Sequence, residues 1–552
     1  MPITPIHLIQ GPDLFSKFEG QTVTTRGVVT GETRKGFFVQ DPDGEAGGGS
    51  SHGLFVYERR RRPPVGSLVE VEGKVVNFQM DPDARPTTQL SERSTRVIAN
   101  QGPEIEPFWL TAERVLVGPD ELAVLLNSLE GMLVGVPAGS VFVAPSNAFG
   151  DYVVLPPGAD LVRTRDGGVL IDPHYPERWL PGFRVLDYGD APTVNVGAEL
   201  LKPVIGPLNF RVASYQMAVH GAVSVRSRGV SAAVTSLVDR DDSMRVMTLN
   251  GFNLDTKKEN PALVNDPRRD VDDDMRDGRF DELGSAIAED AASPCIVALQ
   301  EMQDDDGAEL GDVVSAHRTY ERLAVAVVRA GGPKYEWIDI PPEPDADGGQ
   351  PGGNIRNGFL FDPKKVQLVE GSLQLIGAES VAYEGSRKPL VARFRLLSGA
   401  GELEVINVHL ASKRHQNGLF APRQPGFDPR LETRVQQAML IGEHLAGLRE
   451  QEVDYYVTGD FNDFEFSDTL QALIGDHSIN LVDRVPAPLR YDYNHRGMSQ
   501  ALMHGVVAKR QAATRTAEYE ILHINALLGC PPGQQSTKAS DHAYGIARLQ
   551  LR

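Results

Sequence analysis

Between residues 244 and 552, four short apolar runs end on polar residues, and a fifth run begins directly after another polar pair. The polar positions are Asn250, Glu301, His409, Asp460 with Asn462, and Asp541 with His542. The runs have the length and composition of β-strands. A strand that stops on an ionisable residue places that residue at the rim of a sheet, where a pocket can form. Five such positions in series are hard to obtain by chance, so the sequence predicts one site at a sheet rim.

The same part of the chain alternates strand-like and helix-like stretches. The polar stretch "VDRDDS" at residues 238–243 marks the start of this pattern, and helices are predicted at residues 285–290, 317–330 and 431–448. Alternating strands and helices indicate a layered domain that contains both. We therefore assign residues 241–552 to one C-terminal region.

Residues 1–107, the N-terminal region, contain short β-rich runs and almost no helical periodicity. The runs "TVTTRGVV", "GFFVQ", "LFVY" and "LVEVEGKVV" alternate in period two and are separated by turn residues. This pattern predicts a small antiparallel barrel. Arg59 and Arg60 lie beside Tyr57, and nucleic-acid grooves on small barrels often combine basic and aromatic side chains. The alternative is that these arginines only cover a surface loop.

Residues 108–240, the middle region, are also predicted to be rich in β-structure. The stretch "LEGMLV" at residues 129–134 echoes "FEGQTV" at residues 18–23, which suggests a second, diverged barrel. A structural β-domain that packs on the C-terminal region is an equal alternative.

The composition limits how the chain can meet a charged partner. It has 55 Lys and Arg residues against 75 Asp and Glu residues, for a net charge of −20. This charge argues against a protein that coats DNA through a broadly basic face, but not against an enzyme that meets phosphate through metal ions and a few arginines. The acidic stretches 272–274 and 304–306 lack calcium-loop spacing and are interpreted as solvated loop charge.

The sequence also bears on membranes and location. No run of eighteen apolar residues occurs, so no membrane span is expected. The first residues lack the basic start and apolar stretch of an export signal. The expectation is a cytoplasmic protein as the sequence stands, or an extracellular one if a signal was removed.

The ordered motifs of the C-terminal region resemble the endonuclease/exonuclease/phosphatase superfamily. They are "TLNGFNLD", "IVALQEM", "RNGFLFDP", "SRKPLVARF", "VINVHLASK", "YVTGDFND" and "SDHAYG". With "GVVT…GFFVQD", "GLFVYE" and "GSLVEVEGKVV" ahead of them, they are most similar to bacterial extracellular nucleases with an N-terminal OB-like domain. The resemblance implies an α+β fold class: a four-layer α/β sandwich nuclease domain, preceded by one or two small OB-like β-barrel domains.

The resemblance also implies a metal cofactor, Mg²⁺, with Mn²⁺ or Ca²⁺ as alternatives. Hard magnesium prefers carboxylate oxygens and keeps several waters, so one or two acids can hold it. Glu301 fits as the principal ligand, with Asn250 beside it and Asp541 completing the set.

Catalytic roles follow from the same resemblance. Asp460 is expected to take a proton from the attacking water, and Asn462 to orient that water or a phosphate oxygen. His409 and His542 are expected to donate to phosphate oxygens, and Arg387 to neutralise charge on phosphorus. Further candidates for substrate contact are Arg356, Lys413, Arg59 and Arg60.

One position departs from the pattern of these nucleases. Met503 stands where an Asp that orients the last catalytic His is expected. A methionine cannot accept the imidazole proton. Three explanations stay open: Asp492 serves instead, activity is weakened, or catalysis is lost.

The predicted function is a magnesium-dependent DNA endonuclease, with RNA as a second substrate. Two alternatives are a lipid or inositol phosphate phosphodiesterase of the same superfamily and a catalytically weakened protein that only binds nucleic acid.

Overall fold

The computed structural model describes residues 2–60, 62–80, 84–413, 418–422, 424, 426–534 and 538–551. No helix within these ranges is both long and apolar enough to cross a membrane.

The N-terminal region folds into a closed five-stranded barrel. Its elements are α1 (Ile6–Gln10), β1 (Thr22–Thr33), β2 (Gly36–Gln40), β3 (Gly53–Tyr57), β4 (Leu68–Phe78) and β5 (Thr87–Ala99). The strands close in the order β1-β2-β3-β5-β4, with only β3 and β5 parallel among these pairs. Alternation along β4 buries Val69, Val71 and Val75, because side chains on a strand point to opposite faces in turn. The assignment of this barrel as OB-like stays a prediction.

The middle region contains many short strands and two helices. They are β6 (Phe108–Trp109), α2 (Ala112–Val115), α3 (Pro119–Ser128), β7 (Leu133–Val136), β8 (Val141–Phe142), β9 (Asp151–Leu155), β10 (Val169–Leu170), β11 (Gly182–Val185), β12 (Glu199–Leu200), β13 (Val204–Arg211), β14 (Ser214–Val219) and β15 (Val225–Arg226). Nine strands follow the order β15-β12-β8-β9-β11-β14-β13-β7-β6. This path differs from the closed order of the barrel, and the OB-like interpretation of the region stays a prediction.

The C-terminal region contains many strands and several helices. They are β16 (Ser243–Leu254), α4 (Arg279–Ser285), β17 (Ile296–Met302), α5 (His317–Arg329), β18 (Glu336–Asp339), β19 (Arg356–Phe361), β20 (Val366–Leu368), β21 (Gln374–Leu375), β22 (Leu390–Leu396), β23 (Glu402–His409), α6 (Leu431–Glu450), β24 (Tyr455–Asp460), α7 (Asp468–Ile474), β25 (Ser478–Asn480), β26 (Tyr493–His495), β27 (Met498–Gln500), β28 (Met503–Ala508), α8 (Lys509–Thr514), β29 (Ala517–Leu522) and β30 (Tyr544–Gln550).

Two large sheets of this region face each other. One has the order β18-β19-β17-β16-β30-β29, and the other has the order β20-β22-β23-β24-β28-β25, with β21 also pairing with β22. Val246 and Phe359 of the first sheet share one buried core with Phe394 and Tyr456 of the second. Helices α4 and α5 cover the outer face of the first sheet, and α6 and α7 cover the outer face of the second. The layers are therefore helix, sheet, sheet and helix, a mixed α+β arrangement as predicted.

The predicted helices agree with the structure in two cases and are displaced in the third. Helices α5 and α6 begin at the predicted residues, His317 and Leu431. The helix predicted at residues 285–290 begins earlier, at Arg279, and continues through a π-helical turn at Ala286–Asp290.

A small third sheet joins the middle and C-terminal regions. Its order is β10-β27-β26, and β10 pairs in parallel with β27, with Val169 opposite Met498. The two regions therefore share backbone hydrogen bonds as well as side-chain contacts.

Candidate active site

The predicted strand-end residues come together at one rim of the sandwich. Strands β16 and β17 are parallel neighbours in the first sheet, and β23 and β24 are parallel neighbours in the second. Parallel neighbours finish at the same edge of their sheet. Asn250 and Glu301 therefore lie near one edge of the first sheet, and His409 lies directly opposite Asp460 at an edge of the second sheet. The rim is thus built from both sheets.

Glu301, His409 and Asp460 form a compact group, which we call the rim cluster. The Nε2 atom of His409 lies 3.6 Å from Oε1 of Glu301 and 3.7 Å from Oδ2 of Asp460. One ligating atom from each residue lies within 4.8 Å of the others. The amide nitrogen of Asn250 is 3.5 Å from Oδ2 of Asp460. These side chains can therefore act on one small ligand.

Local backbone geometry explains how Glu301 faces the rim. Its φ is 54°, in the left-handed region that side chains other than glycine seldom adopt. The strand pairings of β17 with both neighbours shift register around this residue. Such a bulge redirects a side chain at a sheet edge.

Gly459 allows β23 and β24 to approach closely beside the cluster. Its φ is 134°, and a Cβ atom there would lie 2.0 Å from the carbonyl oxygen of Val408. A larger residue would push apart the two strands that carry His409 and Asp460.

Next to the rim cluster lies a pair of hydrogen-bonded residues, Asp492 and His542. Nδ1 of His542 lies 2.7 Å from Oδ1 of Asp492, and its Nε2 lies 3.7 Å from Oδ2 of Asp460. The ring of Tyr493 stacks on the imidazole, with 4.8 Å between centroids. Asp492 therefore holds the ring so that Nε2 faces Asp460.

The departure at Met503 has a structural explanation. The backbone N–H groups of Leu502 and Met503 donate to Oδ2 of Asp492, over 2.7 Å and 3.0 Å. Asp492 occupies the orienting position from a different loop, and Met503 contributes through its main chain. Of the three explanations left open by the sequence, the geometry favours the first.

Burial and mutual charge shape the protonation of the rim. Burial, with the charge of Asp541, raises the pKa of Glu301 to about 7, and burial also raises the pKa of Asp460. Burial holds the pKa of His409 well below its usual range. Burial opposes charge on His542 too, but Asp541, Asp460 and Asp492 outweigh it and raise its pKa to about 10. Near neutral pH, His409 is therefore neutral and His542 carries a proton.

Arg387 and Asn462 lie beside the cluster and meet at one carbonyl. Nη2 of Arg387 and Nδ2 of Asn462 each donate to the carbonyl oxygen of Leu410, both over 3.1 Å. The backbone N–H of Asn462 also donates to Oδ1 of Asp460 over 2.8 Å. The Arg387 charge lowers the pKa of His409, after the larger effect of burial, so the guanidinium acts on the rim.

Asp541 fits a metal-binding position. Its Oδ1 atom is buried and has no hydrogen-bond partner among the described residues. A buried carboxylate oxygen without a partner is costly unless a cation or donor meets it. The charge of Asp541 acts on Glu301, since it contributes, after burial, to the raised pKa of that carboxyl, and two neighbouring carboxylates suit a hard divalent ion.

Other predicted residues have different partners. The guanidinium of Arg356 donates to the carbonyl of Asn354 over 3.1 Å and 3.0 Å and to Asp339 over 3.2 Å, so it braces a loop. Nζ of Lys413 lies 3.5 Å from Oδ1 of Asp463 and 3.1 Å from the ring centroid of Phe464.

Arg59 and Arg60 lie on the barrel rather than at the rim. The guanidinium of Arg59 is 5.4 Å from the ring centroid of Tyr57, and both arginines are exposed. Contact of these two residues with a substrate stays a prediction.

A family model described as a domain of unknown function (DUF8508) matches residues 118–228. No curated protein matches the chain.

The solved structures that the chain resembles include proteins of the superfamily named from the sequence motifs. Humanized TDP2 of D. rerio matches with a TM-score of 0.36 and 14% identity, over 56% of this chain and 99% of that one. An endonuclease/exonuclease/phosphatase of Bacteroides vulgatus matches with a TM-score of 0.33 and 15% identity, over 56% and 99%. The human Nocturnin catalytic domain, solved with bound sulfate, matches with a TM-score of 0.36 and 14% identity, over 57% and 97%.

Proposed function

We propose that this chain is a magnesium-dependent phosphodiesterase that cleaves nucleic acid, with DNA cut internally as its main reaction. The observation that carries the proposal is the joint placement of the rim cluster and the Asp492–His542 pair. His409 lies within 4 Å of the carboxylates of Glu301 and Asp460, and the imidazolium of His542 lies within 4 Å of Asp460. This arrangement suits a phosphate ester and an attacking water.

The chain's own residues supply the acid and the base. Asp460, whose pKa is raised by burial, can accept a proton from water, because a base works best when its pKa approaches the working pH. His542 holds a proton at Nε2 and can donate it to a phosphate oxygen or to the leaving oxygen. Neutral His409 can donate a hydrogen bond to a second oxygen. Asn462 and Arg387 border the same space and can orient the phosphate.

Glu301, Asn250 and Asp541 are the residues that would hold the metal. A bound divalent cation supplies positive charge at the phosphate oxygens and a lower pKa for bound water. The same charge would counter burial and the repulsion from Asp541, which together raise the pKa of Glu301.

Nucleic acid is proposed as substrate because of the barrel that precedes the sandwich. We further propose that this barrel is an OB-fold that binds the substrate strand, with Arg59 and Arg60 as candidate phosphate contacts. RNA, and lipid or inositol phosphates, are the competing substrates.

A substrate panel tests the proposal. Supercoiled plasmid, single-stranded RNA and sphingomyelin vesicles are each incubated with the chain in Mg²⁺ and in EDTA. We expect Mg²⁺-dependent conversion of supercoiled plasmid to nicked and linear forms, and no conversion in EDTA. Hydrolysis of the lipid alone would assign the alternative phosphodiesterase function. DNA binding without cleavage in Mg²⁺, Mn²⁺ and Ca²⁺ would assign a binding protein.

A further inference from the structure

Two histidines and one aspartate converge on the barrel, far along the chain from the rim residues. His7 lies in α1, Asp41 directly follows β2, and His52 directly precedes β3. One ligating atom from each lies within 4.8 Å of the others. Nδ1 of His52 is 3.9 Å from Oδ2 of Asp41, and the two imidazole centroids are 4.9 Å apart.

The ring nitrogens of this group lack ordinary partners. Nδ1 of His7 and Nδ1 of His52 are both buried, and neither has a hydrogen-bond partner among the described residues. A buried polar nitrogen normally has a partner, because leaving it unsatisfied costs free energy. Two such nitrogens beside one carboxylate indicate that a ligand common to all three completes the group.

The surrounding backbone holds the group in place. The N–H of Asp41 donates to the carbonyl of His52 over 3.0 Å, and Nε2 of Gln10 in α1 donates to the carbonyl of Gly53 over 2.7 Å. A Cβ atom on Gly44 would lie 2.4 Å from Cβ of His52, so only glycine lets this turn pack on the histidine.

We propose that His7, Asp41 and His52 form a transition-metal site, with Zn²⁺ as the expected ion. Two imidazoles and one carboxylate are a ligand set that favours zinc, whereas the oxygen-rich rim favours magnesium. Three protein ligands leave one position for water. The site would tie α1 to the loop between β2 and β3.

The test uses the full chain carrying Glu301→Gln, so that metal binding at the rim is weakened in every sample. After removal of metal with a chelator, Co²⁺ is added and its visible absorption is recorded, and Zn²⁺ binding is then measured by calorimetry. We expect one ion per chain, with the absorption of four-coordinate Co²⁺. His7→Ala and His52→Ala should each weaken Zn²⁺ binding by more than about tenfold.

His174→Ala is the matched control, because His174 is an exposed histidine of the middle region. It should bind Zn²⁺ as the parent does, and Zn²⁺ should raise the melting temperature of the parent and of this control but not of His52→Ala. Equal Zn²⁺ affinity in the parent, His7→Ala and His52→Ala would overturn the proposal, as would absence of any bound Co²⁺ or Zn²⁺.

An independent set of contacts links the middle region to the rim. On either side of Asp492 and Tyr493, the hydroxyl of Tyr491 donates to Oδ2 of Asp166, and Nδ2 of Asn494 donates to the carbonyl of Val143, both over 2.8 Å. The pairing of β10 with β27 continues this attachment.

The loop that leads to Asp541 and His542 is attached in the same way. The N–H of Gly529 donates to Oδ1 of Asn195 over 2.9 Å, and the N–H of Cys530 donates to the carbonyl of Ser146 over 2.8 Å. Both loops that carry the Asp492–His542 pair therefore rest on the middle region.

We infer that the middle region, which includes the matched residues 118–228, positions the Asp492–His542 pair for catalysis; this inference rests on the proposed function. Tyr491 and Asn494 are positioning residues in this account. Asn494→Ala should lower kcat for DNA by about tenfold and leave KM within about twofold, since it displaces Asp492 without touching substrate.

Hydrogen–deuterium exchange of residues 489–502 gives a readout that does not depend on activity. We expect faster exchange in Asn494→Ala, with partial recovery of both kcat and slow exchange in Asn494→Gln. Arg226→Ala, an exposed position elsewhere in the middle region, should change neither. Faster exchange with unchanged kcat would overturn the positioning role, whereas a parent that never cleaves any substrate would overturn the proposed function instead.

Discussion

Two groups of buried and partly buried carboxylates occupy the C-terminal region, and they differ in which groups contact their oxygens. The first is the rim cluster, in which His409 lies between the carboxylates of Glu301 and Asp460. The second group, which we call the loop cluster, consists of Asp255, Asp272 and Asp274, whose ligating atoms also lie within 4.8 Å of one another.

Two members of the loop cluster, Asp255 and Asp274, accept hydrogen bonds from neighbouring backbone and one arginine. Oδ1 of Asp255 accepts from the N–H of Lys257 over 2.7 Å, and Oδ2 of Asp274 accepts from the N–H of Asp255 over 3.1 Å. Arg279 donates to Oδ1 of Asp274.

The same arginine connects the loop cluster to the rim. The Arg279 guanidinium donates to the carbonyls of Gly251 and Phe252, each over 2.7 Å. These two residues directly follow Asn250 in β16. The loop cluster therefore braces the end of β16. At the rim, Glu301 and Asp460 instead face His409 of the second sheet, and Oδ1 of Asp541 has no hydrogen-bond partner among the described residues. Carboxylates whose oxygens accept hydrogen bonds from neighbouring backbone stabilise the fold. Carboxylates with an oxygen that accepts no hydrogen bond are instead available to a ligand.

The largest effect is expected from Asp460→Asn in the rim cluster. The amide cannot accept the proton of an attacking water, so the rate of DNA cleavage should fall by about 10²- to 10⁴-fold. The rate is measured on supercoiled plasmid under saturating Mg²⁺. Asp272→Asn, the same change in the loop cluster, is the matched control and should retain the parental rate. Equal losses in both variants would remove the distinction between the clusters.

The next effect concerns the orientation of His542. Asp492→Asn should lower kcat by about 10- to 100-fold, because the amide cannot fix the imidazole as the carboxylate does. Met503→Asp should not raise kcat, because Asp492 already forms a hydrogen bond with the imidazole of His542. Both variants are compared by single-turnover cleavage. A faster Met503→Asp enzyme would show that Asp492 is not the working partner.

The loop cluster should respond in stability rather than in chemistry. Arg279→Met leaves buried carboxylates without their counter-charge, and we expect the free energy of unfolding to fall by about 3–5 kcal/mol. Arg268→Met, which removes an exposed arginine, should change it by less than about 0.5 kcal/mol. Urea denaturation of the full chain measures both, and equal values would contradict the role of Arg279.

The smallest effect is on the pH dependence of stability. Burial and the charges of Asp274 and Glu259 raise the pKa of Asp272 to about 7, from an ordinary value of 3.8. A raised folded-state pKa means that stability from this group is complete at low pH and is lost as pH rises through about 7. Asp272→Asn should therefore be more stable than the parent at pH 8, by about 1–2 kcal/mol, and equal to it near pH 4. Melting in EDTA at both pH values checks this, and a variant that is less stable at pH 8 would refute it.

Sequence motifs indicated which residues come together at the rim, because these residues lie at strand ends. Glu301, His409 and Asp460 lie where strand ends from two sheets meet, and the strands themselves have clear apolar patterns. Asp492 was identified only as an alternative, since it lies in a loop before the short strand β26. Nothing in its local pattern shows that it reaches His542, fifty residues later.

The interpretation of the acidic stretches was wrong for their buried members. Asp274 is 1% exposed and Asp304 is fully buried, although both lie in stretches predicted to be solvated. Their partners, Arg279 and Asn354, are separated from them by 5 and 50 residues. Runs of acidic residues show the charge of a loop but not the fold that surrounds it.

The most direct test of the central claim is the Mg²⁺ dependence of plasmid cleavage by the parent and by Glu301→Gln. If the rim cluster is the metal-dependent site, the parental rate rises with Mg²⁺ and saturates, while the variant stays close to the rate in EDTA at the same concentrations. A variant that reaches the parental rate at the same Mg²⁺ concentration would contradict this account of the rim.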